Sequence, residues 1–328
     1  MPYAIKPALL ALTLVGLATA PARAAEPAVT ANNFIELFEQ LGGNHPGHRK
    51  AHARGVCAQG SFTPSPDARF ADAALLSSGE LPVTLRFSVG GGNPQADERA
   101  PGTRGVGLQI GDAGGPVHVF TGNNFPVFAG KDPQTFFGLL KSRMPGPDGS
   151  VDPSRAEAYV RAHPSVQANV AWQQSAGIAA SYANTRYYGL HTFFYQPEGA
   201  GKTMFRWELV PLAGTRQLSA DEASEQAADF LGQRLRQQVE QGDAQFRLEA
   251  VIGQPGDSVN DPSQRWPEER ERVVLGQVTL HSAGGEQCVP VNFDPNRLSA
   301  GFSPSDDPVL QMRSAAYAIS FARRLSGS

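Results

Sequence analysis

Short segments in which apolar and polar residues alternate recur along the chain. In one of them Leu85 and Phe87 alternate with Arg86 and Ser88, so that a β-strand would carry apolar side chains on one face and polar side chains on the other. Glycine and proline separate these segments, which is typical of a barrel or sandwich of short strands. The predicted strands span residues 55–62, 82–89, 105–110, 117–121, 191–195, 203–211, 245–252 and 273–281.

Helical segments lie between and around the predicted strands. A short first helix is stopped by Gly42 and Gly43, and the last helix begins after Asp307 with Pro308 in its first turn. The predicted helices span residues 33–41, 133–141, 153–173, 220–240 and 308–324. We therefore expect an α+β fold in which helices surround an antiparallel eight-stranded β-barrel core.

Composition narrows the class of protein. The chain has 328 residues, of which 41% are hydrophobic, and this is enough for a large core. It has no internal repeat and no low-complexity linker, so one domain is the simplest organisation. A net charge of -3 without blocks of lysine or arginine argues against binding of nucleic acid or anionic lipid. Cys57 and Cys288 form no disulfide framework, and whether they pair or remain two buried thiols is open.

The first 24 residues have the features of an export signal. Lys6 precedes an apolar run at 8–20, and Ala22-Arg23-Ala24 provides a cleavage pattern. The run is shorter than the roughly 20 apolar residues of a membrane span, although a membrane-tethered N-terminus is the alternative. We expect a signal peptide at 1–24, an exported domain at 25–328 and a periplasmic location.

The last predicted helix carries an unusual polar stripe. At about 100° per residue, Arg313, Tyr317 and Arg324 lie within roughly 40° of one another around the helix. A nearby arginine favours the phenolate form of tyrosine, and phenolate binds iron whereas phenol binds it poorly. Taken alone, a core tyrosine with solvent-facing arginines is the simpler interpretation.

One predicted strand places a cation and a hydroxyl on the same face, through Arg86 and Ser88. An edge strand with its polar face in water explains this pair equally well. A chemical role gains weight from polar and aromatic residues in other segments, namely Arg49, His52, Arg104, Asn123 and Phe136.

Six segments, in the family's own order, resemble motifs of the haem catalases. The run at 48–55 is similar to the segment in which an arginine precedes the distal histidine by three residues, here Arg49 and His52. The strand with Arg86 and Ser88 resembles the one whose arginine reaches a haem propionate and whose serine orients that histidine.

The remaining four segments extend the resemblance over nearly all of the predicted exported domain. They are Gly122-Asn123-Asn124-Phe125-Pro126, similar to the family's Gly-Asn-Asn-x-Pro turn; Lys131-Asp132-Pro133 with Phe136, similar to the segment whose aromatic stacks on haem; Tyr188-Gly189-Leu190-His191-Thr192-Phe193, similar to the proximal His-Thr-Phe motif; and Arg313-x-x-x-Tyr317 with Arg324, similar to the proximal ligand signature and a propionate contact.

Departures from the long catalases resemble a shorter branch, the catalase-related peroxidases. Ala129 stands where long catalases have a second phenylalanine. Ala318-Ile319-Ser320 follows Tyr317 in place of a proline and an acidic continuation. The C-terminal helical domain of the long catalases is expected to be absent.

The resemblance implies a b-type haem (iron protoporphyrin IX), because the sequence has no Cys-x-x-Cys-His motif for covalent attachment. Tyr317 would ligate the iron as a phenolate held by Arg313, and His52 would move the protons of peroxide. The resemblance gives supporting roles to Ser88, which orients His52; Asn123, which positions peroxide; Phe136, which stacks on the porphyrin; Val56, in the apolar distal wall; His191, on the proximal side; and Arg49, Arg86 and Arg324, which bind propionates.

The implied activity is that of a peroxidase. It would reduce hydrogen peroxide or organic peroxides with a small organic electron donor, and its catalase activity would be weak. We expect a monomer or homodimer that binds neither nucleic acid nor, after signal cleavage, a membrane. Two alternatives stay open: a true periplasmic catalase, and a non-enzymatic haem-binding protein that would need Tyr317 but not His52.

Two unrelated kinds of site have weaker support. A metal-dependent hydrolase would use His45, His48 and His52, but the proline and glycine between them disrupt the helix that this spacing needs. A dinucleotide site is suggested by the glycines at 105–111, but the third glycine is one residue late and no helix follows. That segment is better interpreted as a strand.

Overall fold

The computed structural model describes Met1 and residues 28–199 and 201–327. The predicted signal peptide lies almost wholly outside these residues. The helices are α1 Ala31–Gly42, α2 Ala74–Ser77, α3 Pro133–Ser142, α4 Pro153–Ala162, α5 Pro164–Ser175, α6 Ala220–Ser224, α7 Phe230–Gln241 and α8 Pro308–Ser326. The strands are β1 Gly55–Pro64, β2 Leu81–Val89, β3 Arg104–Ile110, β4 His118–Asn123, β5 Ile178–Ala179, β6 Tyr187–Tyr188, β7 Phe193–Tyr195, β8 Thr203–Pro211, β9 Gln217–Leu218, β10 Gln245–Ile252, β11 Arg272–Ala283 and β12 Phe302–Pro304.

Eight strands close into an antiparallel barrel, as the sequence predicts. Their order is β10-β11-β1-β2-β3-β4-β6-β8, and β8 pairs with β10 to complete the ring. Strand β7 pairs with β8 outside this ring, and β12 pairs with β7. Closure gives each of the eight strands a hydrogen-bonded neighbour on both sides, which removes the free edges of an open sheet.

The alternation along β2 produces two different faces, as predicted. Leu85 and Phe87 are fully buried in the main hydrophobic core, where the Phe87 ring lies 5.3 Å from that of Tyr182 and 5.9 Å from that of Phe246. Burial of one such side chain stabilises the fold by about 1.5–3 kcal/mol. Arg86 and Ser88 point to the opposite face, where they line a cavity. The core thus fixes which side chains of β2 are available for chemistry.

Two predicted helices are each divided in the structure. The segment predicted as one helix at 153–173 forms α4 and α5, because Pro164 keeps His163 out of the helical conformation (φ -127°, ψ 87°). The segment predicted at 220–240 forms α6 and α7. The side chain of Glu98 accepts a hydrogen bond from the backbone N–H of Leu231 in the first turn of α7, so a distant residue stabilises this new helix start.

The predicted strand at 191–195 is only partly correct. Strand β7 begins at Phe193, and the eighth position of the barrel is filled instead by the two-residue strand β6, between β4 and β8. His191 and Thr192 lie in the connection between these two strands. Because His191 is not part of a β-strand, its side chain points towards the last helix.

Helix α8 begins as its sequence predicts and crosses in front of the first helix. The Asp307 carboxylate accepts hydrogen bonds from the backbone N–H groups of Val309 and Leu310, and Pro308 occupies the first turn. An ion pair of 2.6 Å joins Arg323 of α8 to Glu39 of α1. A disulfide between Cys57 and Cys288 fastens β1 to the segment that leads into α8. Among the described residues, no helix combines the length and apolar character needed to cross a membrane.

Candidate active site

A cavity of about 820 Å³ lies between the polar face of β2, β3 and β4 and the helices α1, α3 and α8. Most of the residues predicted for the site line it, although they come from distant parts of the sequence. They are Arg49, His52, Arg86, Ser88, Asn123, Phe136, Arg313 and Tyr317. His191 and Arg324 are not part of this lining and contact or neighbour residues that are, whereas Val56 lies elsewhere.

His52 is oriented by a hydroxyl group on the neighbouring strand. Its Nδ1 lies 3.0 Å from Ser88 Oγ, and Ser88 Oγ in turn donates to the carbonyl oxygen of Gly105 at 3.4 Å. A hydroxyl that donates to a carbonyl accepts from the imidazole, so this arrangement favours the tautomer with hydrogen on Nδ1. Nε2 then carries the lone pair and can accept a proton.

The backbone at His52 is held in an uncommon conformation. His52 has a φ of 54°, and Arg86 donates hydrogen bonds of 2.9 Å to the carbonyl oxygens of both His52 and Ala53. These two bonds stabilise a left-handed residue that costs of order 1 kcal/mol or more. Gly55 leaves space for the guanidinium, because a Cβ at this position would lie 2.7 Å from Arg86 Cζ. Arg86 therefore positions the histidine as well as lining the cavity.

The glycines of β3 explain the weak dinucleotide-like spacing at 105–111. A Cβ on Gly105 would lie 2.7 Å from His52 Nδ1, and one on Gly107 would lie 2.6 Å from the ring of Phe293. Both glycines therefore allow an aromatic ring to lie directly against the strand. The segment is a strand, as predicted, and its glycines serve packing at the site.

The electrostatic surroundings keep His52 neutral. Burial, followed by the positive charges of Arg86, Arg313 and Arg49, lowers the pKa of His52 to about 4. An uncharged imidazole with a free Nε2 is a proton acceptor at neutral pH. The arrangement thus provides a general base.

Asn123 lies at the end of β4, and the oxygen of its side-chain amide is already hydrogen-bonded. Its Oδ1 accepts the backbone N–H of Phe125 at 2.8 Å, which is the turn expected from the Gly-Asn-Asn-x-Pro segment. The Nδ2 group remains as a donor, and Asn123 lines the cavity that also contains His52. A hydrogen-bond donor beside a proton acceptor suits a small oxygen-containing molecule.

A chain of four hydrogen-bonded side chains supports Tyr317 on the other side of the cavity. Arg313 Nη2 donates to the Tyr317 hydroxyl oxygen at 2.8 Å, and Arg313 Nη1 lies 3.1 Å from His191 Nε2. His191 Nδ1 lies 2.6 Å from the Asp307 carboxylate, and both residues are buried. Burial lowers the pKa of His191, although Asp307 opposes the shift. Neutral His191 donates to Asp307 and accepts from Arg313, so Arg313 presents its charge to the Tyr317 oxygen.

Asp307 is the functional residue that the sequence interpretation missed. The sequence indicates Asp307 only as the residue after which the last helix begins. One of its oxygens caps that helix, and the other accepts a hydrogen bond from His191. The two side chains are 116 residues apart. A local capping signal contains no information about a second partner at such a distance.

Three arginines form a positive cluster at one end of the cavity. Burial and the charges of neighbouring arginines lower the pKa of Arg49 to about 9, and burial lowers that of Arg86 to about 10. Arg324 contributes to both shifts, and its Nε and Nη2 atoms are buried with no hydrogen-bond partner. Within the described residues, no carboxylate forms an ion pair with any of the three. Arg49 and Arg86 donate to backbone carbonyl oxygens, so the positive charge of the cluster is not neutralised and favours an anionic ligand.

These features fit the haem that the resemblance implies. The buried, unpartnered nitrogens of Arg324 and the charges of Arg49 and Arg86 match two propionate groups. Arg313 donates a hydrogen bond to the Tyr317 oxygen, which suits an oxygen that would ligate iron. Phe136 lines the cavity and packs at 5.5 Å on Phe34, where its ring forms an apolar wall for a flat aromatic group.

Val56 departs from its predicted role. It packs against the main core and faces α7, where its Cβ lies 4.0 Å from the position that a Cβ on Gly232 would take, and it does not belong to the cavity lining. The physical reason is the strand period of two, because β1 pairs Val56 with the core residue Phe87. Ala51, beside His52, lines the cavity instead.

The alternative metal site is not assembled. His45 lies with Nε2 3.0 Å from the carbonyl oxygen of Gly42, away from the ring of His52 that faces Ser88. In the portion of the chain that the structure describes, no group of three histidine, cysteine, aspartate or glutamate side chains is arranged to hold a metal ion. His52 thus belongs to the cavity and not to a histidine cluster.

Comparisons with known proteins identify the family of the chain. The family model described as "Catalase" matches residues 22–328. The chain is 33% identical to a catalase-related peroxidase of Synechococcus elongatus over 323 residues, which cover 97% of this chain and 95% of that protein. It is also 33% identical to a catalase-related peroxidase of Mycolicibacterium paratuberculosis over 304 residues, covering 90% of this chain and 95% of the relative.

Solved structures show the same fold. Catalase A from Saccharomyces cerevisiae superposes with a TM-score of 0.74 at 21% identity, covering 86% of this chain and 62% of the yeast chain. The family implies a haem cofactor and peroxide as substrate. Because a family model matches most of the chain and relatives of similar length match nearly all of it, this protein belongs to the catalase family, in its short branch.

Proposed function

We propose that this protein is a haem-dependent peroxidase that reduces hydrogen peroxide or organic peroxides with an organic electron donor. The observation that carries the proposal is that one cavity is lined by two hydrogen-bonded pairs. Ser88 orients a neutral His52, and Arg313 donates to Tyr317. The names of the relatives, catalase-related peroxidases, support the same activity. In the overall reaction, one hydrogen peroxide and two phenol-type donors give two water molecules and two donor radicals.

The proposed cofactor is a b-type haem bound without a covalent link. When bound, it would supply the redox chemistry at iron that couples the reduction of peroxide to the oxidation of donors. Tyr317 would hold the iron, Arg49, Arg86 and Arg324 would hold the propionates, and Phe136 would stack on the ring. Arg313 would present its positive charge to the Tyr317 oxygen through its hydrogen bond of 2.8 Å.

His52 is proposed to move the proton. Its Nε2 accepts a proton from one peroxide oxygen and returns it to the other oxygen as the O–O bond breaks, so one imidazole acts first as base and then as acid. The Nδ2 group of Asn123 donates a hydrogen bond that orients peroxide next to His52. Ser88 keeps Nδ1 protonated during both transfers.

Peroxidase activity is proposed to exceed catalase activity. Ala129 lines the cavity in place of a larger aromatic residue, and the cavity of about 820 Å³ extends along α3. A small organic donor therefore has space to approach the haem edge, and donor oxidation competes with the second peroxide that a catalase needs. If the haem-loaded protein releases oxygen from peroxide faster than it oxidises a phenolic donor, the alternative of a true catalase is correct.

The experiment that tests the proposal uses the protein purified with haem. We expect a high-spin ferric spectrum of the tyrosinate type and peroxide-dependent oxidation of a phenolic donor, followed by absorbance. Haem binding without turnover of any donor or of peroxide would favour the non-enzymatic haem-binding alternative. Failure to bind haem would remove the basis of the mechanism.

Export is proposed from the N-terminal pattern alone. The apolar run at 8–20 followed by Ala22-Arg23-Ala24 supports a signal peptide cleaved after Ala24 and a periplasmic protein. Expression of the full chain in a bacterium, with cell fractionation and N-terminal sequencing, tests this. Full-length protein retained in the cytoplasm would contradict it.

Sedimentation of the mature protein tests the proposed monomer or homodimer.

A further inference from the structure

One face of helix α3 lines the cavity from its start to its end. Pro133, Phe136, Leu139 and Leu140 all contact the cavity, and so does Arg143, the residue that follows the helix. Arg143 comes seven residues after Phe136, which places it about 10 Å farther along the same wall and within about 20° of the same direction. A path from the Phe136 ring therefore passes over leucine side chains and ends at a cation.

The Arg143 guanidinium is a cation at the cavity wall that makes no hydrogen bond within the described part of the chain. Within residues 28–199 and 201–327, no hydrogen bond or ion pair engages its side chain, and partial burial lowers its pKa. The other cations that line the cavity donate to protein oxygens. Lys50 pairs with Glu39, and Arg313 donates to Tyr317. Arg49, Arg86 and Arg104 donate to backbone carbonyl oxygens. Leaving a half-buried cation without an anion is unfavourable, so a ligand that supplies one gains affinity.

Arg143 is also separate from the arginines expected to bind propionates. The charges that lower the pKa of Arg49 come from Arg86 and Arg324, and Arg143 does not contribute. The carboxylate that lines the cavity in the described chain, Asp97, forms an ion pair of 2.7 Å with Arg99. An anion at Arg143 would therefore meet neither a competing propionate site nor a free acid.

We propose that Arg143 is a specificity-determining residue, which binds the carboxylate of an anionic aromatic electron donor whose oxidisable end lies near Phe136. This inference rests on the proposed peroxidase function. Leu139 and Leu140 contact the aromatic body, and Arg143 forms a charge-assisted hydrogen bond with the carboxylate. The preferred donors are thus phenols with a short carboxylate tail, and uncharged phenols of the same size are poorer.

The test compares 4-hydroxyphenylacetate with its uncharged amide as donors for the haem-loaded enzyme. Replacing Arg143→Gln is expected to lower kcat/KM for the carboxylate by about ten- to a hundredfold, mostly through KM, and to change kcat/KM for the amide by less than about twofold. Arg143→Lys is expected to restore most of the preference because it restores the charge. Lys141→Gln, which removes an exposed cation from the same helix without touching the cavity, is the matched control.

A second measurement does not depend on turnover. Titration calorimetry with 4-hydroxyphenylacetate should show binding to the wild-type haem protein that is weakened by Arg143→Gln and by added salt, but not by Lys141→Gln. Equal losses for carboxylate and amide, or no loss for either, would overturn the inference. Absence of peroxidase activity with any donor, together with intact Arg143-dependent binding, would overturn the proposed function and leave the subsite standing.

Discussion

The two sides of the cavity are built from different chemistry. On the barrel side, His52 is held by a neutral hydroxyl and a backbone carbonyl, through Ser88 and Gly105. On the helix side, Tyr317 is held by a guanidinium that a buried carboxylate supports through His191. The barrel side thus keeps a base uncharged, and the helix side places a positive charge beside an oxygen.

The same arginines serve both purposes. Arg86, Arg313 and Arg49 lower the pKa of His52, and the charges of Arg49 and Arg86 also interact favourably with the Tyr317 oxygen. Positive charges nearby disfavour protonated imidazole, which is a cation, and favour phenolate, which is an anion. The two sides therefore differ in the group that lies near the positive charges, an imidazole on one side and a phenol oxygen on the other. The following predictions test this difference.

The largest effect is expected from Tyr317→Phe. Removal of the oxygen deletes the proposed iron ligand, so the tyrosinate-type spectrum should disappear and peroxidase activity should fall to background. Tyr182→Phe is the control, because it removes a buried tyrosine hydroxyl that has no hydrogen-bond partner. A Tyr317→Phe variant with an unchanged spectrum would show that the helix side does not bind iron.

His52→Asn should separate the two sides. Asparagine tolerates the left-handed backbone at this position better than alanine, so the turn should survive the substitution. We expect unchanged haem binding, by the visible spectrum, and a loss of about 10²–10⁴ in kcat/KM for peroxide, because the general base is absent. A loss below about tenfold would mean that another group moves the proton.

The pH dependence measures the positive field directly. Since the pKa of His52 is lowered to about 4, the imidazole stays neutral from about pH 5 upwards and becomes protonated only as the pH falls through about 4. The kcat/KM for peroxide, measured by rapid mixing, should therefore be level near neutrality and fall about tenfold per pH unit below pH 4. A decline that begins near pH 6.5, the ordinary histidine value, would contradict this.

The smallest effect on activity is expected from cutting the link between the sides. Cys57 lies in β1, and Cys288 packs with Phe293 and Tyr317 in one apolar cluster. The double variant Cys57→Ser and Cys288→Ser should lose about 2–5 kcal/mol in the free energy of unfolding, because the bond closes a long loop. Denaturant titration measures this, while activity at low temperature should change little. A large loss of activity in the still folded variant would show that the bond positions Tyr317.

Local patterns in the sequence predicted the parts of the site that one element determines. The alternation in β2 placed Arg86 and Ser88 on one face, and the start of α8 put Arg313 and Tyr317 on one stripe. Strand and helix periods are set by backbone geometry within a few residues, so they can be derived from the sequence. The resemblance to the catalases added His52 and Asn123, whose local sequences predict no chemistry by themselves.

The tertiary structure decided what depends on pairing between distant segments. Pairing of β1 with β2 turned Val56 into the core and left Ala51 at the cavity, and closure of the barrel through β6 freed His191 to reach Asp307. The order β11-β1 brought Cys57 to Cys288, a choice that the sequence left open. These contacts join residues more than a hundred positions apart, or they depend on which strand lies next to another. The sequence alone therefore determined which side chains are available for the site, and the tertiary structure decided which residues they contact.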